Sequence, residues 1–304
     1  MIDRPQYLRA LRRWKDKQMI KVITGIRRCG KSTLMELFQA ELRLDGVPDA
    51  QIIAVNLEDF ANIELRDPMK LHAYILSRAG NERAYVFLDE IQNVRDFPPM
   101  IDSLFLRKNL DLYLTGSNAY MLSGELATHL SGRYVTIDML PLSFSEYAAF
   151  TGSRDSLSAT YRRYLETSFP YATELGGDRK AIEEYLSGIY HTVVLKDVVG
   201  RLKNADPMML ESVLRFVYSS TGSPISTKKI SDTMAPTGGS STCARLKNIC
   251  RRLWTATSSI RRGAMTSAAS SISRRLKSIM PWISACGIIC LAGAMRIPAT
   301  SSKT

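Results

Sequence analysis

Acidic residues are missing from the end of this 304-residue chain: residues 236–304 hold eleven Lys and Arg and no Asp or Glu. The same segment lacks Val, Phe, Tyr, Gln and His, while nineteen of its residues are Ser or Thr. Residues 1–235 carry 30 basic and 29 acidic groups, so the formal charge of +12 arises almost wholly in the tail. That charge therefore does not point the acid-bearing part toward nucleic acid or an anionic membrane. Cysteine is equally scarce there. Cys29 stands alone within residues 1–235, which argues against a disulfide framework or a thiolate zinc site in that part. Cys243/Cys250 and Cys286/Cys290 are spaced by seven and four residues with no His nearby, a poor metal-ligand pattern. Long apolar runs are missing as well. The uncharged stretch Ile279–Met295 is broken by Pro281 and Ser284 and falls short of a spanning helix. The first residues, MIDRPQYLRALRRWKDK, are charged throughout and lack the apolar core of a signal peptide. A cytoplasmic protein with no membrane partner is expected.

Two readings of the tail compete. A basic, low-complexity extension would bind nucleic acid, but Trp254, Trp282 and the uncharged stretch do not suit one. The genetic code favours the other. Trp and Met have single codons ending in G, so a frame one base earlier turns Trp254–Thr255 and Met265–Thr266 into GAC and Trp282–Ile283 into GAT. All three encode Asp. Out-of-frame translation starting between about Met234 and Thr242 is therefore expected, with a genuine basic tail as the alternative.

Before the tail, over residues 1–235, apolar runs alternate with helical patterns. Ile20–Thr24, Ile52–Leu57, Tyr85–Leu88, Leu110–Leu114 and Tyr134–Ile137 read as strands buried on both faces. Ser32–Leu44 and Asp67–Ala79 read as helices between them, which predicts an α/β fold with a parallel sheet sandwiched by helices. After Pro141 the strands stop. Ser143–Phe150, Ser156–Thr167, Arg179–Leu202 and Pro207–Ser219 read as helices, with Gly176-Gly177 and Asp206-Pro207 as breaks. The expected plan is a core over 1–140, a helical lid over 141–205, the start of a winged helix over 206–235 and the tail over 236–304.

Chemistry concentrates where strands end. Gly25-Ile26-Arg27-Arg28-Cys29-Gly30-Lys31-Ser32, followed by Thr33, fits the phosphate-binding pattern and sits between a strand and a helix. Such glycines let a loop wrap phosphate so that backbone N–H groups and a helix N-terminus face the anion. Lys31 then reaches the β- and γ-phosphates of ATP, and the Ser32 hydroxyl binds Mg²⁺. Tyr85-Val86-Phe87-Leu88-Asp89-Glu90 is an apolar strand ending in two acids. Its Asp89 is expected to hold Mg²⁺, and Glu90 to orient and deprotonate the attacking water. Ser117 and Asn118, after Leu110–Leu114, suit either γ-phosphate sensing or helix capping. Arg133, just before the fifth strand, suits charge neutralisation at the γ-phosphate, in its own subunit or a neighbour's, or a surface salt bridge. For Glu58-Asp59, helix capping is the expectation. Cys29 reads as a small filler within the loop.

These residues resemble prokaryotic AAA-type P-loop ATPases that carry a winged helix and a C-terminal restriction-endonuclease-like domain of unknown function. The resemblance rests on G-I-R-R-C-G-K-S at 25–32, Y-V-F-L-D-E-I-Q at 85–92, L-T-G-S-N at 114–118, S-G-R-Y at 131–134 and P-L-S-F-S-E-Y at 141–147. It implies that Lys31 and Ser32 bind the triphosphate and Mg²⁺, that Asp89 and Glu90 are the acidic pair, and that Ser117 or Asn118 is the sensor. Arg133 matches the family's Gly-Arg, and a homo-oligomer is consistent with it. Such proteins continue into a complete winged helix and a nuclease-like domain, neither recognisable here after about Ala235. The expected function is Mg-dependent ATP hydrolysis by a molecular switch or motor. The alternatives are a nucleic-acid-binding module built on the winged helix and basic tail, with DNA reached through the winged helix, and a non-functional truncated product.

Overall fold

The computed structural model describes residues 2–117, 130, 132–152 and 156–192. The chain divides after Pro141 into two units. Expectations for the winged helix at 206–235, the tail at 236–304 and Asn118 fall outside the described residues.

The first unit is built on five strands: β1 (Ile20–Gly25), β2 (Ile52–Asn56), β3 (Ala84–Asp89), β4 (Leu110–Ser117) and β5 (Tyr134–Met139). They form one sheet in the order β2-β3-β4-β1-β5, with every pairing parallel. All five fall on the apolar runs of the sequence, but burial on both faces does not hold for the edge strands: β2 exposes Ala54 and β5 exposes Thr136, because each has a neighbour on one side only. The helices are α1 (Pro5–Trp14), α2 (Lys31–Leu44), α3 (Pro68–Ala79) and α4 (Phe97–Phe105). Of these, α1 and α4 are not among the sequence expectations. Their starts have simple causes, since Pro stands in the first turn of both, where its missing N–H costs nothing. For α3, Asp67 caps the Met69 and Lys70 N–H groups and Pro68 opens the helix.

Alternation along the strands divides the core between the two faces of the sheet. Val22, Val86, Leu88, Leu112 and Leu114 pack with Leu71 and Ile75 of α3 and Ile101 and Leu104 of α4. Ile23, Phe87, Tyr113 and Ile137 pack with Leu11 of α1 and Leu34 and Phe38 of α2. Phe87 stacks on Tyr113 at 4.7 Å and Phe38 tilts against the same ring at 5.4 Å. A buried polar cluster interrupts this second face. The Lys21 ammonium pairs with Asp111 and donates to the Lys17 carbonyl at 2.9 Å. Asp111 also accepts from the Tyr113 hydroxyl and the Asp16 N–H, both at 2.9 Å. Burial pushes the Lys21 ammonium's pKa down, against the upward pull of Asp111. The cluster fastens the turn between α1 and β1 to β4.

The second unit, as described, is helical: α5 (Phe144–Thr151), α6 (Leu157–Thr167), α7 (Pro170–Glu174) and α8 (Arg179–Thr192). Ser143 and Glu146 form a reciprocal capping box at the start of α5, and Gly152 ends it in the left-handed conformation. Ser156 caps α6 by accepting from the Ala159 N–H. Phe144, Tyr147, Tyr161 and Tyr164 pack edge to face between α5 and α6, with centroids 5.3 to 5.6 Å apart. Among the described residues, no helix is long and apolar enough to cross a membrane.

Candidate functional site

The parallel sheet sends the carboxyl ends of β1, β3 and β4 to one edge, where ligands collect in open α/β sheets. The loop after β1 runs into α2, whose first residue is Lys31. Gly25 admits no side chain, because a Cβ there would run into the Met139 carbonyl and come within 2.8 Å of the Cys29 sulfur. Gly30 has φ +96° and Arg28 φ +66°, both left-handed. Left-handed residues of this kind turn backbone N–H groups into a concave anion nest. Ile26 and Arg27 are half-buried, while Arg28 and Ser32 are exposed at the loop surface and Thr33 is half-buried. Cys29 is fully buried, and burial pushes its thiol's pKa up against the pull of Lys31 and Arg4. It therefore stays a neutral filler.

Lys31 is 5% exposed, and its ammonium donates to the Gly25 and Ile26 carbonyls, each at 3.3 Å. The same ammonium lies 3.9 Å from the Glu90 carboxylate. Asp89 ends β3 and is 8% exposed. Its carboxylate accepts from the Thr115 hydroxyl, and that hydroxyl accepts from the Glu90 N–H at 2.9 Å. Glu90 has φ +55° and ψ +52°, a costly conformation for a residue with a side chain. The Thr115 bond holds it there, while the Gln92 amide donates to the Glu90 carboxylate. The edge thus combines an anion nest, a cation, a fixed carboxylate and a second carboxylate beside that cation. Such a set can bind a polyphosphate with a divalent ion and accept a proton from water.

The remaining candidates scatter. Ser117 lies opposite Gly25 in the β1–β4 register, so its backbone adjoins the start of the loop. Asn118 falls outside the described residues. Asp59 caps a short 3₁₀ helix by accepting from the Ala61 N–H at 2.9 Å, in line with the capping expectation. Arg133 requires a correction. It precedes β5, whose Tyr134 is level with Ile20, whereas the loop leaves β1 at Gly25, level with Met139. Five residues of strand separate the two ends, about 17 Å at roughly 3.3 Å per residue. Arg133 instead pairs with Asp102 at 2.7 Å and lies over the Phe105 ring. Neutralising phosphate within its own subunit does not fit that position, which leaves the salt bridge and the neighbouring-subunit options.

Thr115 was reachable from sequence only as part of a polar turn. Its importance follows from strand adjacency: β3 pairs with β4 up to Leu88↔Leu114, so Asp89 and Thr115 come next on neighbouring strands. Recognising two apolar strands is not enough to know that they are neighbours.

Residues 17–148 match the AAA domain family. An uncharacterized protein of Haemophilus influenzae is 37% identical over 242 residues, covering 77% of this chain and 60% of that protein. An uncharacterized protein of Methanocaldococcus jannaschii is 29% identical over 230 residues, covering 70% of this chain and 49% of its own length. The chain thus spans about half to three fifths of the length of these curated relatives. Among solved structures, a Walker-type ATPase of Pyrococcus abyssi superposes with a TM-score of 0.56 at 17% identity, covering 84% of this chain and 90% of that one. The fold is that of the P-loop NTPases, and over residues 17–148 the family match is to the AAA type.

Proposed function

We propose that the unit ending at Pro141 binds Mg-ATP and hydrolyses it, as a nucleotide-driven switch or motor. The observation that carries this reading is the meeting of Lys31 and Glu90 at 3.9 Å beside an Asp89 fixed by Thr115. Backbone N–H groups from Ile26 through Thr33 wrap the phosphates, and Lys31 turns from the loop carbonyls to the β- and γ-phosphate oxygens. Ser32 and Asp89 hold Mg²⁺, which neutralises charge across those phosphates when bound. Glu90 takes a proton from water as the water oxygen bonds to the γ-phosphorus. The bond to the β–γ bridging oxygen then breaks, and ADP leaves with that electron pair. Ser117 or Asn118 senses the γ-phosphate, and Arg133 acts on the site of a second copy in a homo-oligomer.

Lys31→Ala should abolish ATP binding measured by calorimetry. Glu90→Gln should still bind ATP while its turnover falls by roughly 10²- to 10⁴-fold. Undiminished turnover in the Glu90 variant removes it as the base.

We further infer that residues 236–304 are read out of frame, supported by their lack of acids and the three Asp codons recovered one base earlier. Sequencing the gene tests this, and stop codons in the earlier frame across 243–300 would refute it. DNA as a partner then rests on the winged-helix pattern read in the sequence of 206–235 rather than on the basic tail.

A further inference from the structure

A buried cation is bonded to the phosphate loop. Arg4 is 3% exposed and is the N-cap residue of α1. One terminal nitrogen of its guanidinium donates to the Cys29 carbonyl at 3.2 Å. The other donates to the carbonyls of Leu140 at 2.8 Å and Pro141 at 3.4 Å. The Tyr7 ring lies 4.7 Å from the guanidinium, and its hydroxyl accepts from the Leu140 N–H at 3.1 Å. One side chain thus joins the N-terminal segment, the phosphate loop and the chain leaving β5. Arg4 stands outside the stretch that matches the AAA domain family.

In a planar trans peptide the C=O and N–H bonds point opposite ways. Holding the Cys29 carbonyl against Arg4 therefore turns the Gly30 N–H to the other side of the loop. The left-handed backbone at Arg28 and Gly30 makes that other side the concave one. A charged donor on the carbonyl also polarises the peptide and strengthens its N–H as a donor.

We propose that Arg4 is a positioning residue of the phosphate loop: it orients the Cys29–Gly30 peptide so that the Gly30 N–H meets phosphate, and it ties that orientation to the end of β5. The proposal rests on the nucleotide-binding reading above. Only a forked side chain can serve both sides, so Arg4→Lys, with one ammonium, keeps the charge but holds only one of them. Arg4→Met loses both.

The test labels the full chain with carbonyl-¹³C Cys and ¹⁵N Gly. Cys-Gly occurs only at 29–30 and 286–287, so two amide–carbonyl signals appear, and Cys29→Ser identifies the one that matters. That signal should move in Arg4→Met, which loses the donor to the Cys29 carbonyl. It should stay in place in Leu104→Ala, which opens a cavity in the core cluster on the opposite face of the sheet and lowers the melting temperature. ATP affinity should fall about tenfold or more in Arg4→Met, with turnover at saturating ATP little changed and Leu104→Ala binding like wild type. An unmoved Cys29–Gly30 signal, or a moved one with undiminished ATP affinity, overturns the proposal. Wild-type protein that binds no ATP would sink the nucleotide reading, and the carbonyl signal would still decide whether Arg4 sets this peptide.

Discussion

Thr115 connects the two acids on which hydrolysis is proposed to depend. Its hydroxyl donates to Asp89 and accepts from the Glu90 N–H, so one oxygen fixes both a side chain and a strained backbone. Thr115→Val keeps the shape but leaves the Glu90 N–H without that acceptor, a loss worth about 1–3 kcal/mol. We expect turnover to fall at least about tenfold while affinity for ATP without Mg²⁺ changes little, because the loop and Lys31 are untouched. Steady-state kinetics check this, and an unaltered kcat would show that Glu90 holds its place unaided. At this scale the sequence was most legible where chemistry follows a fixed spacing. Lys31 opens the helix after β1 and Asp89 ends β3, the places in the fold that the spacing predicts, because a glycine loop after one strand and acids after another need no further context. Thr115 and Arg4 were not legible, because each acts through strands or segments that meet only in the fold.

Among the elements, those with strong periodicity and clear caps were readable. The inner strands β1 and β3 show themselves as short apolar runs because they are buried along their whole length, whereas the edge strands β2 and β5 alternate and leave Ala54 and Thr136 exposed. The start of α5 was readable for another reason. Ser143 and Glu146 close a capping box, with Ser143 N–H donating to the Glu146 carboxylate at 2.8 Å. Ser143→Ala should destabilise the helical unit by about 1 kcal/mol, seen as a lower melting temperature with ATP turnover per folded molecule unaffected. An unchanged melt would mean that the aromatic packing between α5 and α6 holds the helix start on its own. Less legible was α1, whose sequence reads as a charged N-terminus. Only Tyr7 and Leu11 of that helix are buried, a seam too narrow to outweigh Arg9, Arg12 and Arg13 in a periodicity count.

At the scale of the molecule, the order β2-β3-β4-β1-β5 puts the first strand of the sequence inside the sheet, between β4 and the edge strand β5. That order could not be read from the alternation of strands and helices, which fixes parallel pairing but not which strands are neighbours. It also separates Arg133 from the phosphate loop, since the two lie at opposite ends of adjacent strands. There is a consequence for synthesis. Both neighbours of β1, at 110–117 and 134–139, leave the ribosome long after it. Until then the emerging chain carries an apolar segment, Ile20–Gly25, with unpaired edges on both sides, the kind of exposure that invites aggregation and chaperone capture. Pairing across such separations is slow, so the phosphate loop gains its final geometry only once nearly all of the first unit has been made.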